Sequence, residues 1–197
     1  MSGSVAAILL AAGKSSRMGS CKQLLPLGEG TVIGRCLDTL VTAGVGDVVV
    51  VISEEGSDVA EAVRCCPVRV VVNPEAEGDM ASSVRAGRDA VTAEPSGVVV
   101  LPCDFPLVSA GTITSLIAEQ DGSPGSIIIP CHGERRGHPL LFPRTILDEL
   151  ANGMILRDLV RRDPDRIRCR NVDDPGVLID MDTPEDYQHI CGLLQPG

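Results

Sequence analysis

Apolar runs rich in Val and Ile, alternating with stretches of helical character, restrict this chain more than any other feature. Val5 to Leu10, Asp47 to Ser53, Val68 to Val72, Gly97 to Cys103 and Ser126 to Pro130 are apolar with little polar interruption. A strand with one wet face alternates apolar and polar residues, whereas an unbroken run suits a strand buried on both faces, as in a parallel sheet. Between the runs lie an amphipathic stretch from Thr31 to Ala43 and helical stretches over Ser57 to Arg64 and Met80 to Val91. A further helix runs from a cap at Ser109 to Gln120. Strand and helix in turn indicate βαβ units with right-handed crossovers, and hence an α/β fold with helices on both faces of a mostly parallel sheet. After residue 130 the rhythm breaks into a strand-like Pro139 to Phe142, two helical stretches and a strand-like Ile167 to Val172. Residues 1–197 are expected to form a single domain, with ligands bound beyond the carboxyl ends of its strands.

Aromatic residues make up only 2% of a chain that is 44% hydrophobic, so Val, Leu, Ile and Ala must fill the core. No apolar stretch reaches the ~18 residues of a membrane span, and no basic segment followed by a cleavable apolar one opens the chain. A cytoplasmic location without a membrane partner is the expectation. The eight cysteines form no C-x-x-C pair and read as small buried hydrophobes in a reducing compartment. A net charge of −10 excludes binding to a nucleic acid backbone by bulk electrostatics. Against that background Met1 to Gly28 carries Lys14, Arg17 and Lys22 and no acid. Such a segment is either a solvated basic loop or the seat of an anionic ligand.

The first strand runs into Leu10-Ala11-Ala12-Gly13-Lys14-Ser15-Ser16-Arg17-Met18-Gly19, followed by Cys21-Lys22-Gln23-Leu24-Leu25-Pro26-Leu27. Small residues at Ala11, Ala12 and Gly13 let backbone N–H groups approach phosphate oxygens, Arg17 can fork onto two of them, and Lys22 adds a point charge. Gly13-Lys14-Ser15 is not the end of a Walker A motif, since Ile8 stands where its first Gly is needed, and no G-x-G-x-x-G follows the strand. The pattern resembles the signature loop of the nucleotidyltransferases related to the molybdenum cofactor cytidylyl- and guanylyltransferases. Methylerythritol-phosphate and sugar-phosphate nucleotidylyltransferases are similar at a greater distance. The resemblance implies a three-layer, Rossmann-like sheet of the nucleotide-diphospho-sugar transferase type. It also implies that Leu10, Ala11, Ala12, Gly13, Arg17 and Lys22 wrap and neutralise a nucleoside triphosphate.

Asp104 ends the fourth strand in Cys103-Asp104-Phe105-Pro106-Leu107, where it is either a turn former or a ligand-facing carboxylate. Leu178-Ile179-Asp180-Met181-Asp182-Thr183-Pro184-Glu185-Asp186 reads as a helix start. In the resembled family, C-D-x-P-L and D-x-D-T-P-E-D supply the carboxylates that hold Mg²⁺, or Mn²⁺ in its place. Asp104 and Asp182 match them, with Asp180 ranked second because alternate residues of a strand face opposite ways.

Asn73-Pro74 and Gly78 to Gly87 follow the third strand, and Ser82 and Ser83 can cap the next helix. S-V-x-x-G also resembles the segment that lines base and ribose in cytidylyltransferases, which assigns Asn73 and Ser83 to the nucleotide. Ala12 resembles the cytidylyl branch, where the guanylyl branch carries Gly. Arg136-Gly137-His138-Pro139 resembles the segment of the molybdenum cofactor cytidylyltransferases that meets the acceptor, giving Arg136 and His138 that role beside the simpler one of a surface turn. The expected reaction joins CMP from CTP to the phosphate of molybdopterin. The alternatives are GTP as donor, a sugar or polyol phosphate as acceptor, or a non-enzymatic nucleotide-binding partner of a molybdoenzyme or its chaperone.

Overall fold

The computed structural model of the chain describes residues 4–13, 18–75, 80–92 and 94–194. In chain order the elements are β1 (Val5–Leu10), β2 (Pro26–Leu27), β3 (Gly30–Thr31), α1 (Val32–Thr42), β4 (Asp47–Ser53), α2 (Ser57–Ala62), β5 (Arg69–Asn73) and α3 (Met80–Ala90). They continue with β6 (Gly97–Pro102), α4 (Ala110–Gly122), β7 (Ile127–His132), β8 (Arg135–Arg136), β9 (Leu140–Pro143), α5 (Arg144–Leu147), α6 (Leu156–Arg162), β10 (Ile167–Asn171) and α7 (Pro184–Leu193). The main sheet has the order β10-β7-β9-β6-β1-β4-β5, with β8 attached to β7.

The unbroken apolar runs are the parallel strands. β1 pairs parallel to β4 and β6, β4 to β5, and β7 to β10, while β9 lies antiparallel between β6 and β7. The sequence reading marked β9 as a strand but had no means to give its direction, because a four-residue buried run reads alike either way. Ala7, Leu9, Val50, Val99 and Leu101 share one core with Ile33 and Leu40 of α1 and Ile113 and Leu116 of α4. Ile8, Val49, Val51, Val98 and Val100 share the other with Val84 of α3, Leu147 of α5 and Leu159 of α6. Covering both faces explains why alternation is missing from these strands.

From β1 the chain moves outward through β4 to β5, then crosses back to β6 on the other side of β1. The order reverses there, and the crevice outside the carboxyl ends of β1 and β6 is where such sheets bind ligands. Thr31 and Ser109 cap α1 and α4, each accepting a hydrogen bond from the N–H three residues on. Among the described residues no helix is long and apolar enough to cross a membrane. All eight cysteines are free thiols, but only Cys36, Cys103 and Cys131 are buried. Cys21, Cys65 and Cys169 are exposed, contrary to the expectation that all fill the core. Cys169 lies on an edge strand and Cys21 in a surface loop, where hydropathy alone does not report burial.

Gly87 shows what the close approach of α3 to the sheet demands. A Cβ there would lie 2.5 Å from Ile8 Cγ2 and 3.0 Å from Val51 Cγ2, both in the packed core. Gly87→Val is expected to cost about 3 kcal/mol, the upper part of the range for overpacking. The urea midpoint of unfolding checks this, and a loss below ~0.5 kcal/mol would contradict it.

Candidate active site

The backbone leaving β1 is pinned to both neighbouring strands. Ala11 N–H donates to Val51 O at 2.8 Å, and Leu10 O accepts from Cys103 N–H at 3.0 Å. Beyond this point Leu10, Ala12 and Gly13 line a cavity of about 190 Å³, with Lys22, Ser83 and Asp104 on its other walls. Among the described residues nothing lies within 4 Å of a Cβ built on Gly13. Ala11 is buried behind the wall. Lys14 and Arg17 lie outside the described residues.

Gln23, to which the sequence reading gave no role, shapes this loop. Its side chain is buried, and Nε2 donates to Ala11 O at 3.0 Å and Gly13 O at 3.1 Å. Its Oε1 accepts from the thiol of Cys21 at 3.2 Å. A polar residue in the otherwise apolar Gln23-Leu24-Leu25-Pro26-Leu27 was the signal available: a buried amide needs partners, and the loop carbonyls provide them.

Lys22 draws together residues that are distant in sequence. Its Nζ donates to Asp104 Oδ2 at 3.2 Å, to Asp182 Oδ1 at 2.9 Å and to Met181 O at 2.9 Å. The two carboxylate loops are also stitched directly, since Met181 N–H donates to Asp104 O at 2.9 Å. Burial opposes the ammonium, but the charge of Asp104 and the hydrogen bond to Asp182 outweigh it, and the Lys22 pKa lies above 10.5. The group is a cation throughout the neutral range.

The segment around Asp182 is a helix start, but Asp182 is not its cap. Thr183 is the cap of α7, its Oγ1 accepting from Asp186 N–H, and Asp186 in return accepts from the N–H groups of Asp182 and Thr183. Thr183 does the capping and leaves the Asp182 carboxylate to face Lys22. Asp180 is exposed, two residues away.

Asn73 stands behind the cavity. It is buried, and its Nδ2 donates to Ser82 Oγ and Ser83 Oγ, both at 2.9 Å, while its Oδ1 accepts from Glu75 N–H at 3.0 Å. Its place is to hold Ser83, which does line the cavity. Gly78 and Asp79 lie outside the described residues.

Arg136 and His138 line a second cavity of about 530 Å³, which meets the first at Met80, a residue lining both. The His138 ring packs on Phe105, next to Asp104, with centroids 4.7 Å apart. Burial lowers the His138 pKa below 6.5, against the opposing pull of Asp104 and Asp180, so the imidazole is neutral at pH 7. Its Nδ1 is buried without a hydrogen-bond partner, as is Asp104 Oδ1.

A buried carboxylate oxygen with no partner is costly unless something is meant to meet it. Asp104 Oδ1, together with the nearby carboxylate of Asp182, fits a hard divalent cation. Among the described residues no group of three or more His, Cys, Asp or Glu could hold a metal. Two carboxylates completed by phosphate oxygens and water is the pattern Mg²⁺ favours.

Comparison with known proteins shows the family to which this fold belongs. Residues 7–166 match the MobA-like NTP transferase domain. The chain is 28% identical to nicotine blue oxidoreductase of Paenarthrobacter nicotinovorans over 94% of its own length and 96% of that protein. It is 26% identical to molybdenum cofactor cytidylyltransferase of Escherichia coli K12 over 91% and 92%. A nucleotidyl transferase from Methanothermobacter thermautotroptrophicus superposes with a TM-score of 0.84 at 27% identity, covering 96% of this chain and 97% of that one. Rv0371c of Mycobacterium tuberculosis H37Rv, solved with manganese, superposes with a TM-score of 0.77 at 27% identity, covering 96% and 98%. This chain therefore belongs to the MobA-like NTP transferase domain family and is a nucleotidyltransferase.

Proposed function

We propose that the enzyme transfers CMP from CTP to the phosphate of molybdopterin, releasing pyrophosphate. The observation that carries this reading is the meeting of Asp104 and Asp182 on the Lys22 ammonium, beside the small-residue loop and next to a second cavity of ligand size. In this reading Leu10 to Gly13 receive the nucleotide and Asn73 holds Ser83 against it. Arg136 and His138 face the acceptor, and Arg17 joins Lys22 on the triphosphate. Asp104 and Asp182 hold a divalent cation, Mg²⁺ or Mn²⁺, which supplies charge stabilisation at the phosphates when bound. An acceptor phosphate oxygen attacks the α-phosphorus as the bond to the pyrophosphate oxygen breaks. A phosphate monoester is already an oxyanion near pH 7, so the neutral His138 need not act as a base. Lys22 lies where it can shield the charge that moves onto pyrophosphate. The similarity to the Escherichia coli enzyme, whose name gives both donor and acceptor, supports the choice of substrates.

Ala12 carries the choice of base. It lines the smaller cavity, and in this reading its methyl narrows the space a purine would need. Pyrophosphate release with molybdopterin as acceptor is expected to be at least about tenfold faster with CTP than with GTP, the lower limit of what one methyl contributes. Ala12→Gly is expected to bring the two rates together. A wild-type enzyme that prefers GTP would overturn the assignment of the base, and one that releases no pyrophosphate with molybdopterin would overturn that of the acceptor.

A further inference from the structure

We infer that Asp174 is a positioning residue for nucleotidyl transfer: its carboxylate buckles the strap of residues 174–182 to α4, and the strap sets His138 and Asp182 in place. The inference rests on the proposed function for the roles of His138 and Asp182, and goes beyond it in naming what fixes them.

The strap begins as a single 3-10 turn, Pro175–Leu178, which Asp174 caps. Asp174 Oδ1 accepts from Gly176 N–H at 2.9 Å and closes the turn. Asp174 Oδ2 reaches away from the strap, accepting from Ser109 N–H at 2.9 Å and from Thr112 Oγ1 at 2.6 Å. Both donors belong to the capped start of α4, and Thr112 is buried. Burial opposes the charge of Asp174, but the hydrogen bonds from Thr112, Ser109 and Gly176 outweigh it, and its pKa lies below 3.8. One ionised carboxylate thus joins segments 62 residues apart. Ile113 and Leu116 root α4 in the core, so the strap is tied at its start to a rigid element.

Beyond the buckle the strap touches the site repeatedly. Gly176 lies against Leu107 O, in the loop that follows Asp104, and Gly137 lies against Val177 O. Neither glycine leaves room for a Cβ. Val177 is fully buried, and its O accepts from His138 N–H at 2.9 Å. Met181 N–H donates to Asp104 O at 2.9 Å, Met181 O accepts from Lys22 Nζ at 2.9 Å, and Asp182 comes next in the chain. Reacting groups held by such a segment lose rate when it shifts by a fraction of its own width, well before the fold is lost. Asp163 supplies the same local cap without the buckle. It precedes the turn Pro164–Arg166, accepts from Asp165 N–H at 3.1 Å, and pairs with Arg166 Nε of that turn at 3.1 Å.

Three variants separate positioning from capping. Asp174→Ala removes cap and buckle, Thr112→Val loosens the buckle and keeps the cap, and Asp163→Ala removes a cap elsewhere. At saturating substrates kcat is expected to fall ~10- to 10²-fold in Asp174→Ala, by less in Thr112→Val, and not at all in Asp163→Ala. Asp174→Asn, which keeps acceptors of the same shape, is expected to recover part of the rate. The KM for CTP is expected to hold, because the loop after β1 is secured by Gln23. Amide hydrogen exchange at His138 and Met181, read by NMR without substrate, is expected to quicken about tenfold or more in Asp174→Ala, beyond any change in the core strands. An Asp174→Ala protein that melts lower but keeps the wild-type kcat would make Asp174 a structural residue only. Exchange that quickens equally at all amides would overturn the inference too. Should Asp174→Ala fail to fold, Thr112→Val answers the same two measurements. Wild-type protein that does not turn over molybdopterin would remove the proposed acceptor, and exchange at His138 and Met181 then decides the inference alone.

Discussion

Asp104→Asn is expected to lower nucleotidyl transfer by ~10³-fold or more and to abolish saturable Mn²⁺ binding, with the fold retained. Charge stabilisation by a bound divalent ion is worth several kcal/mol, and about 4 kcal/mol corresponds to ~10³ in rate. Asparagine keeps the shape of the side chain and an acceptor for Lys22, so the packing around β6 is undisturbed. The Met181 N–H that joins the two loops bonds to the Asp104 backbone carbonyl, which the substitution does not touch. Asp182→Asn is expected to act in the same direction. Its side chain is 42% exposed against 26% for Asp104, so water can replace more of what it supplies, and the loss is smaller. Steady-state pyrophosphate release and Mn²⁺ titration by calorimetry read the two effects separately. Activity near wild type in Asp104→Asn would remove the metal role from this residue.

Much of the sheet was legible because two-sided burial writes itself into sequence as unbroken apolar runs. Asp47 to Ser53 has the bounds read from its valines, and the cap at Ser109 follows from a hydroxyl side chain placed before an apolar stretch. The position of β9 between β6 and β7 was not legible. That pairing depends on contacts between segments far apart in the chain, and Leu140-Leu141-Phe142 satisfies either strand direction equally well.

The candidate site divides along the same line. Local pattern left Asp104 open as a turn former and Asp182 as part of a helix start; the family resemblance singled them out with Lys22, and the fold brings the three together. What Asn73 and Gln23 do could not be read in that way. Asn73 was assigned to the nucleotide, yet its amide is spent on Ser82 and Ser83, and it acts through them. The importance of Gln23 lies in the carbonyls it meets after the loop has folded back. Such roles belong to tertiary geometry, on which hydropathy and spacing are silent.

Lys22→Met separates two functions that the geometry superposes on one ammonium. In this structure Nζ lies between Asp104 and Asp182, where it balances their charge, and it also lines the cavity proposed for the triphosphate. A divalent cation held by the same carboxylates would compete with the ammonium and leave Lys22 available to the phosphates. Methionine fills the buried stem of the side chain without its charge. The rate is expected to fall by ~10²- to 10³-fold, the loss typical of one preorganised electrostatic donor. Mn²⁺ binding is expected to persist or tighten, since the ammonium no longer competes for Asp104 and Asp182. Without metal, the variant is expected to be less stable than wild type, because the two carboxylates lose the ammonium they share, and added Mn²⁺ is expected to restore much of the loss. The pH dependence follows from the raised pKa: the stability contributed by the ammonium is fully present below 10.5 and is lost only as pH rises through the higher folded value. The wild-type melting temperature therefore loses this contribution only in strong alkali, and the variant lacks that step. A Lys22→Met protein that loses Mn²⁺ binding as Asp104→Asn does would make Lys22 a positioning residue for the carboxylates. A near-normal rate would deny it any part in catalysis.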